Sequence, residues 1–272
     1  MPNPTNINLD YDYPVQIGEG IYWIGFYDKE SGLHCNPYII VDGEEAVVID
    51  GGSRPDFPVV LMKILRTGVA PSSIVALIYN HYDPDLVGSV HNFESIIDRK
   101  DLKIISDASN NMFIRHYYVK TALSSVGAMD YEFKFSSGRK LQFIMTPYAH
   151  SQGSLVTFDS QSGIVFTSDV FGSIDKNWEL FLKLDENCHD CEDQQECMMG
   201  KSHCPLRAIY QFHRNVMTSE KALRLAIKRI MALPVQMIAP QHGSVIRDAK
   251  DIQYISQMLA SLKGVGIDGV SM

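Results

Sequence analysis

Residues 79–88 read YNHYDPDLVG. The stretch gathers His81, Asp83 and Asp85 and then runs straight into Leu86 and Val87. The five residues before it, IVALI at 74–78, are uniformly apolar and read as a short buried strand. The three polar side chains therefore sit just past a strand's C-terminal end, where open α/β sheets place their sites. Alternate residues of an extended or turning segment point the same way. His81 and Asp83 can thus converge on one ion while Asp85 leans toward a neighbouring one. Pro84 stiffens the turn between the two carboxylates. Taken alone, the segment is equally a polar loop, with Asp83 or Asp85 capping a helix over 86–93.

Three other segments shift the balance, because each ends an apolar strand in one histidine or aspartate. They are TPYAH ending at His150, VFTSD ending at Asp169 and APQH ending at His242. With the first stretch they supply three histidines and three carboxylates, all at strand ends. Imidazole with carboxylate suits iron, zinc or manganese, and a carboxylate such as Asp169 can bridge two ions.

The rest of the chain supports sheets covered by helices. Residues 21–26, 36–41 and 46–49 read as strands, with an Asp42-Gly43 turn between the last two. The third lies in VVIDGGS, which runs out into Asp50, Gly51 and Gly52. Residues 58–66 and 107–118 have helical spacing, and 103–105 reads as a strand. In the second half, strands at 141–146, 155–158 and 164–167 alternate with turns such as Ser162-Gly163. An amphipathic helix over 219–233 carries Leu223, Ile227 and Ile230 on one face and stops at Pro234. A strand at 237–239 leads into the last histidine, and a helix over 251–262 follows. The expected organisation is one domain over 1–272, with a polar, cysteine-rich insertion at 185–204.

Bulk properties narrow the function. The chain has 272 residues, 45% of them hydrophobic and 21% charged, which is ordinary for a globular protein with a normal core. A formal net charge of -8 argues against nucleic acid and anionic membrane as partners. No stretch approaches the roughly 20 apolar residues of a membrane span. The first residues are polar and acidic, without the pattern of a secretory signal. A cytoplasmic location with reduced thiols is the expectation.

The histidine and aspartate pattern resembles the metallo-β-lactamase fold, and within it the flavodiiron proteins. The family motif H-x-E-x-D, followed by a histidine, an aspartate and a last histidine, falls on His81, Asp83 in the glutamate position, Asp85, His150, Asp169 and His242. VVIDGGS is similar to the strand-and-glycine signature early in that fold. The resemblance covers roughly residues 15–262. It implies a four-layer αββα sandwich with two irons between the sheets. His81, Asp83 and His150 would hold one iron, Asp85 and His242 the other, and Asp169 would bridge them. The carboxylate at position 83 favours iron, because zinc hydrolases of the fold usually have histidine there.

Many members of the fold place a histidine directly after the last motif aspartate, where this chain has Leu86. Leucine cannot ligate, so one iron is expected to keep an open position, as reactive metal sites do. No flavodoxin domain, which carries FMN in flavodiiron enzymes, is expected after the last helix. The chain thus looks like the stand-alone oxygen-binding diiron proteins related to them. The implied function is O2 binding and reduction to a peroxo adduct, as an oxygen sensor or slow oxygen reductase. Expected partners are O2, with NO or peroxide left open, and a redox donor protein or chemotaxis receptor. Dimerisation is left open as well. The alternative is a dinuclear zinc hydrolase, in which metal-bound hydroxide attacks an ester or thioester.

Of five cysteines, Cys188, Cys191, Cys197 and Cys204 follow C-x2-C-x5-C-x6-C inside the insertion. Four thiolates so close in sequence can enclose an iron–sulfur cluster or a single zinc or iron, or form a reduced acidic loop. His189 and His203 could substitute for a thiolate. Cys35 reads as a small core hydrophobe. Tyr82 and Tyr148 flank ligands, and either phenol could hydrogen-bond a bound peroxide, although such tyrosines more often just pack. Asp50 reads as an orienting carboxylate rather than a ligand. His91, His116 and His213 read as surface or partly buried helix residues, and Trp23 and Trp178 as core or interface residues.

Overall fold

The computed structural model describes residues 9–191, 197 and 200–271. The first half contains β1 (Val15–Gly18), β2 (Ile21–Trp23), β3 (Tyr38–Asp42), β4 (Glu45–Ile49), α1 (Phe57–Arg66), β5 (Ile74–Ile78), α2 (Pro84–Val87), α3 (Val90–Ile97), β6 (Lys103–Ser106), α4 (Ala108–Ile114) and β7 (Leu123–Ser125). The second half contains β8 (Glu132–Lys134), β9 (Lys140–Met145), β10 (Leu155–Asp159), β11 (Ile164–Phe166), α5 (Pro205–Val216), α6 (Glu220–Ile230), β12 (Met237–Ala239) and α7 (Ala249–Ser261). β1 to β7 form one sheet in sequence order, and the other sheet runs β12-β11-β10-β9-β8.

Strand alternation assigns the layers. In β3 and β4, Tyr38, Ile40, Val47 and Ile49 face a core shared with Phe143, Leu155, Ile164 and Phe166 of the second sheet. Their neighbours Ile39, Ala46 and Val48 pack instead with Val60 and Ile64 of α1 and Phe93 of α3. In the second sheet Val156, Phe158 and Val165 turn outward onto Leu223, Ile227 and Ile255 of α6 and α7. Each sheet is apolar on both faces, one against its partner sheet and one against helices. This is the expected αββα sandwich.

Two boundaries differ from the sequence expectations for identifiable reasons. The helix expected over 86–93 is broken into α2 and α3. The break falls where Ser89 leaves the helical ladder, its N–H donating to the Gly52 carbonyl at 3.1 Å and its hydroxyl to that of Gly51 at 3.0 Å. Gly51 permits this approach, since a Cβ there would lie 2.8 Å from the Phe93 ring. The helix expected over 107–118 ends at Ile114, and a 3₁₀ turn, Arg115–Tyr117, leads to Tyr118 with φ of 60°. Helix α5 was not delimited by sequence reading, because it emerges directly from the cysteine-rich stretch.

One buried network fixes the end of β5 and therefore the start of the motif that carries His81, Asp83 and Asp85. Asp50 accepts from the Asn80 backbone N–H at 2.9 Å and from its side-chain amide at 2.7 Å. The Asn80 side-chain oxygen accepts from the Thr157 hydroxyl of β10 at 2.8 Å, and its backbone carbonyl accepts from Leu155 N–H at 3.0 Å. Asn80 thus couples the two sheets immediately before His81. Burial pushes the Asp50 carboxyl up to about 7 despite the two Asn80 donors. Asn80→Ala takes the amide donor from Asp50 Oδ2, leaving that carboxyl only the backbone N–H, and strands the Thr157 hydroxyl. We expect a loss of about 2–3 kcal/mol, read as a lower urea midpoint at unchanged slope.

Candidate metal centre

The six motif residues come from four strand-end segments and converge at one edge of the sandwich. His150 Nε2 lies 2.7 Å from Asp83 Oδ2 and 3.8 Å from Asp169 Oδ2. His81 Nε2 lies 3.6 Å from Asp83 Oδ2. His242 Nε2 lies 3.1 Å from Asp85 Oδ2 and 3.6 Å from Asp169 Oδ1. Two donors each about 2.1 Å from a common ion stand roughly 3.0–3.4 Å apart, so these separations need little closure. Asp169 spans the two groups, with one oxygen toward His150 and the other toward His242. Among the described residues, His81, His150 and Asp169 offer ligand atoms all within 4.8 Å of one another, and so do Cys35, Asp85 and His242.

Each histidine presents Nε2 inward because its Nδ1 has an outer partner. His81 Nδ1 is 2.6 Å from the Ser168 hydroxyl, His150 Nδ1 is 3.3 Å from the Val216 carbonyl and His242 Nδ1 is 3.1 Å from the His34 carbonyl. With Nδ1–H donating outward, the Nε2 lone pair is left for a metal, the usual arrangement around ligating histidines. Burial disfavours the charged form of His150, but the Asp83 hydrogen bond and the Asp169 and Asp83 charges outweigh it and raise its pKa to about 9. Burial likewise opposes ionised Asp83, but His150 and His81 hold it below the usual carboxylate range.

The fit to a pair of cations rests on one atom. Asp169 Oδ1 is buried and has no hydrogen-bond partner. A buried carboxylate oxygen without a donor is costly. A cation shared with His242 and Asp85 would satisfy it, and the imidazole and carboxylate donors suit iron or another first-row divalent ion.

The turn that carries Asp169 is held by His213. The Phe171 N–H donates to His213 Nε2 at 2.9 Å, and His213 Nδ1–H donates to the Ile209 carbonyl at 2.7 Å. Contrary to the sequence expectation, His213 is fully buried. The signal missed was tertiary, since α5 packs over the Asp169 turn. Ser168 was missed too, although it directly precedes Asp169; it holds φ of 55° to bring its hydroxyl under His81. Asp50 acts on Asn80 rather than on a histidine ring.

The other predicted residues fall out as follows. Asp83 sits at the first turn of α2, but its side chain makes no cap bond. Leu86 is fully buried with Ile24, Val60 and Phe93 on the helix side of the first sheet. The Tyr82 ring stacks on Phe113 at 4.4 Å, and Tyr148 is about half exposed. Trp23 and Trp178 are buried and pack 5.9 Å apart. In the insertion, Cys188 and Cys204 pack against the core under α5 to α7, and the Cys191 carbonyl accepts from the Tyr254 hydroxyl at 3.1 Å. Burial raises the Cys188 thiol, and the charges of Asp185, Cys204 and Cys197 add to it. Those four thiols form no group with ligand atoms within 4.8 Å, among the described residues. Residues 192–196, 198 and 199 of the insertion lie outside the described residues. Among the described residues, no helix is long and apolar enough to cross a membrane.

The profile of the ODP family beta lactamase matches residues 33–243, the span that contains all six of these residues. The chain belongs to that family. Its fold matches the peroxy diiron species of the chemotaxis sensor ODP with a TM-score of 0.72 and 22% identity, covering 94% of this chain and 97% of that one. It matches rubredoxin:oxygen oxidoreductase of Desulfovibrio gigas with a TM-score of 0.74 and 19% identity, covering 91% of this chain and 60% of that one. The anaerobic nitric oxide reductase flavorubredoxin of Aeromonas salmonicida is 25% identical over 251 residues, 86% of this chain and 44% of that protein. The chain therefore spans less than half the length of that curated relative.

Two outcomes test the centre's supports. Ser168→Gly keeps the left-handed backbone comfortable and removes only the hydroxyl behind His81. Metal affinity should fall about 10–100-fold in a competition titration. His213, buried and neutral, is depressed to about 4, below its ordinary value. Its contribution is complete above the unfolded histidine pKa of about 6.5 and is lost as pH falls toward 4, worth about 3 kcal/mol. Urea midpoints of metal-free protein across this range should show the loss, and His213→Gln should remove that part of the profile.

Proposed function

We propose that this chain binds dioxygen at a pair of iron ions and acts as an oxygen sensor or slow oxygen reductase. His81, Asp83 and His150 would hold one ion, Asp85 and His242 the other, and Asp169 would bridge them. The observation that carries this reading is the buried Asp169 carboxylate, whose two oxygens address histidines of opposite groups while one of them lacks any donor. When bound, a ferrous pair would supply two electrons to dioxygen. The protein's own part is to fix the tautomer of each histidine through Ser168, Val216 and His34 and to hold both ions on one carboxylate. The carboxylate at position 83 supports iron over zinc, as does the diiron state named for the chemotaxis sensor ODP.

The cysteine loop is proposed as a separate thiolate site for an iron–sulfur cluster or a single zinc or iron, on the four-cysteine spacing alone. It lies at the head of α5, whose far end carries Phe212 against the His242 ring at 5.9 Å. Acid-labile sulfide in anaerobically purified protein supports the cluster, and its absence removes it.

Anaerobic metal analysis with Mössbauer spectroscopy tests the main reading. Iron at two ions per chain outside any cluster is expected, together with a new absorption band when the reduced protein meets air. Asp169→Ala should lose at least one of the two ions and the band. Zinc at the site, with no oxygen-dependent band, overturns the proposal in favour of a hydrolase. Oxygen uptake that stops after one equivalent per iron pair identifies a sensor; sustained uptake with excess reductant identifies a reductase.

A further inference from the structure

One buried nucleophile lies against the proposed pair without a part in it. Cys35 is 3% exposed and forms a backbone bridge with His242. The next residue extends the attachment: Asn36 N–H donates to the Gln241 carbonyl at 2.8 Å, and its side-chain amide to those of Pro240 at 3.0 Å and Gly243 at 2.8 Å. The segment carrying Cys35 and the loop carrying His242 are therefore one hydrogen-bonded unit. The sulfur lies 4.0 Å from His242 Nδ1, but that nitrogen already has the His34 carbonyl at 3.1 Å. His242 thus does not need Cys35 as its outer partner.

The ligand atoms of Cys35, Asp85 and His242 all lie within 4.8 Å of one another. Donors around one ion with bonds of about 2.1–2.3 Å stand roughly 3.4–3.8 Å apart in a tetrahedron, so closure needs about an ångström. This second ion is also the poorer of the two in protein donors. Leu86, which follows Asp85, is buried on the helix side of the sheet and has nothing to offer.

We propose that Cys35 is a thiolate ligand of the second ion, beside Asp85, His242 and the bridging Asp169. This rests on the two-metal reading above. On binding, the thiol proton leaves to solvent and the freed sulfur electron pair forms the bond to the metal, since a coordinating thiol is deprotonated. The two ions then differ in kind. The first has only nitrogen and oxygen donors, while the second has a soft sulfur donor and a stronger preference for thiophilic ions.

The test compares wild type, Cys35→Ser and Cys35→Ala as full chains, loaded anaerobically with Fe(II) or Co(II). The four loop cysteines are common to all three, so they cancel. A thiolate-to-metal charge-transfer band and a metal–sulfur shell by X-ray absorption should weaken in both variants. Affinity for the second ion should fall at least tenfold while the first is retained. Matching melting of the metal-free forms shows that the fold survives. If position 35 tolerates no change, a chain with all four loop cysteines replaced by serine leaves Cys35 as the only thiol, and any metal–sulfur signal must come from it. Two ions bound with no Cys35-dependent sulfur signal overturn this proposal and leave the diiron reading standing. An outer partner of His242 would lower affinity without any sulfur signal, and that result overturns it too. No metal at the pair in any form overturns both.

Discussion

A carboxylate buried between two imidazoles governs this molecule. Asp169 is 4% exposed, and its two oxygens reach toward histidines that arrive from different parts of the chain. An anion in that position is tolerable only with positive charge close on both sides. The elements around it serve that arrangement. The 168–172 turn is tied by the Thr167 hydroxyl to the Val170 carbonyl at 2.6 Å and by Gly172 N–H to the Asp169 carbonyl at 2.9 Å. His213 braces the same turn from α5.

The three histidines of the candidate centre show how the fold turns a flexible ring into a directed donor. Each is oriented by an oxygen from a different source: a hydroxyl on Ser168, the last residue of α5, and the segment preceding β3. Two of the three partners are main-chain carbonyls, so their placement depends on how helices and strands pack rather than on which side chain is present.

That difference explains what could be read from the chain in advance. The layers and the six candidate ligands that converge were legible because they leave local marks: short apolar runs that end in a histidine or aspartate. His213 was not legible, since nothing around it in the chain distinguishes a brace for the Asp169 turn from an ordinary helix residue. Cys35 was read as core, and its burial agrees, but its position beside Asp85 and His242 comes from a pairing across more than 200 residues. Ser168 stood in plain view next to Asp169, yet only its left-handed backbone shows where its hydroxyl points. The helix break at Ser89 likewise depends on a glycine some forty positions earlier.

The provenance of the ligands has a thermodynamic side. His81, Asp83 and Asp85 follow a strand of the seven-stranded sheet, whereas His150, Asp169 and His242 follow strands of the five-stranded one. Any ion gripped by both sets rivets the halves of the sandwich together, and its binding free energy becomes free energy of cohesion between them. The resistance of this protein to unfolding would then track the supply of metal around it, so that scarcity would loosen the seam before it altered either half.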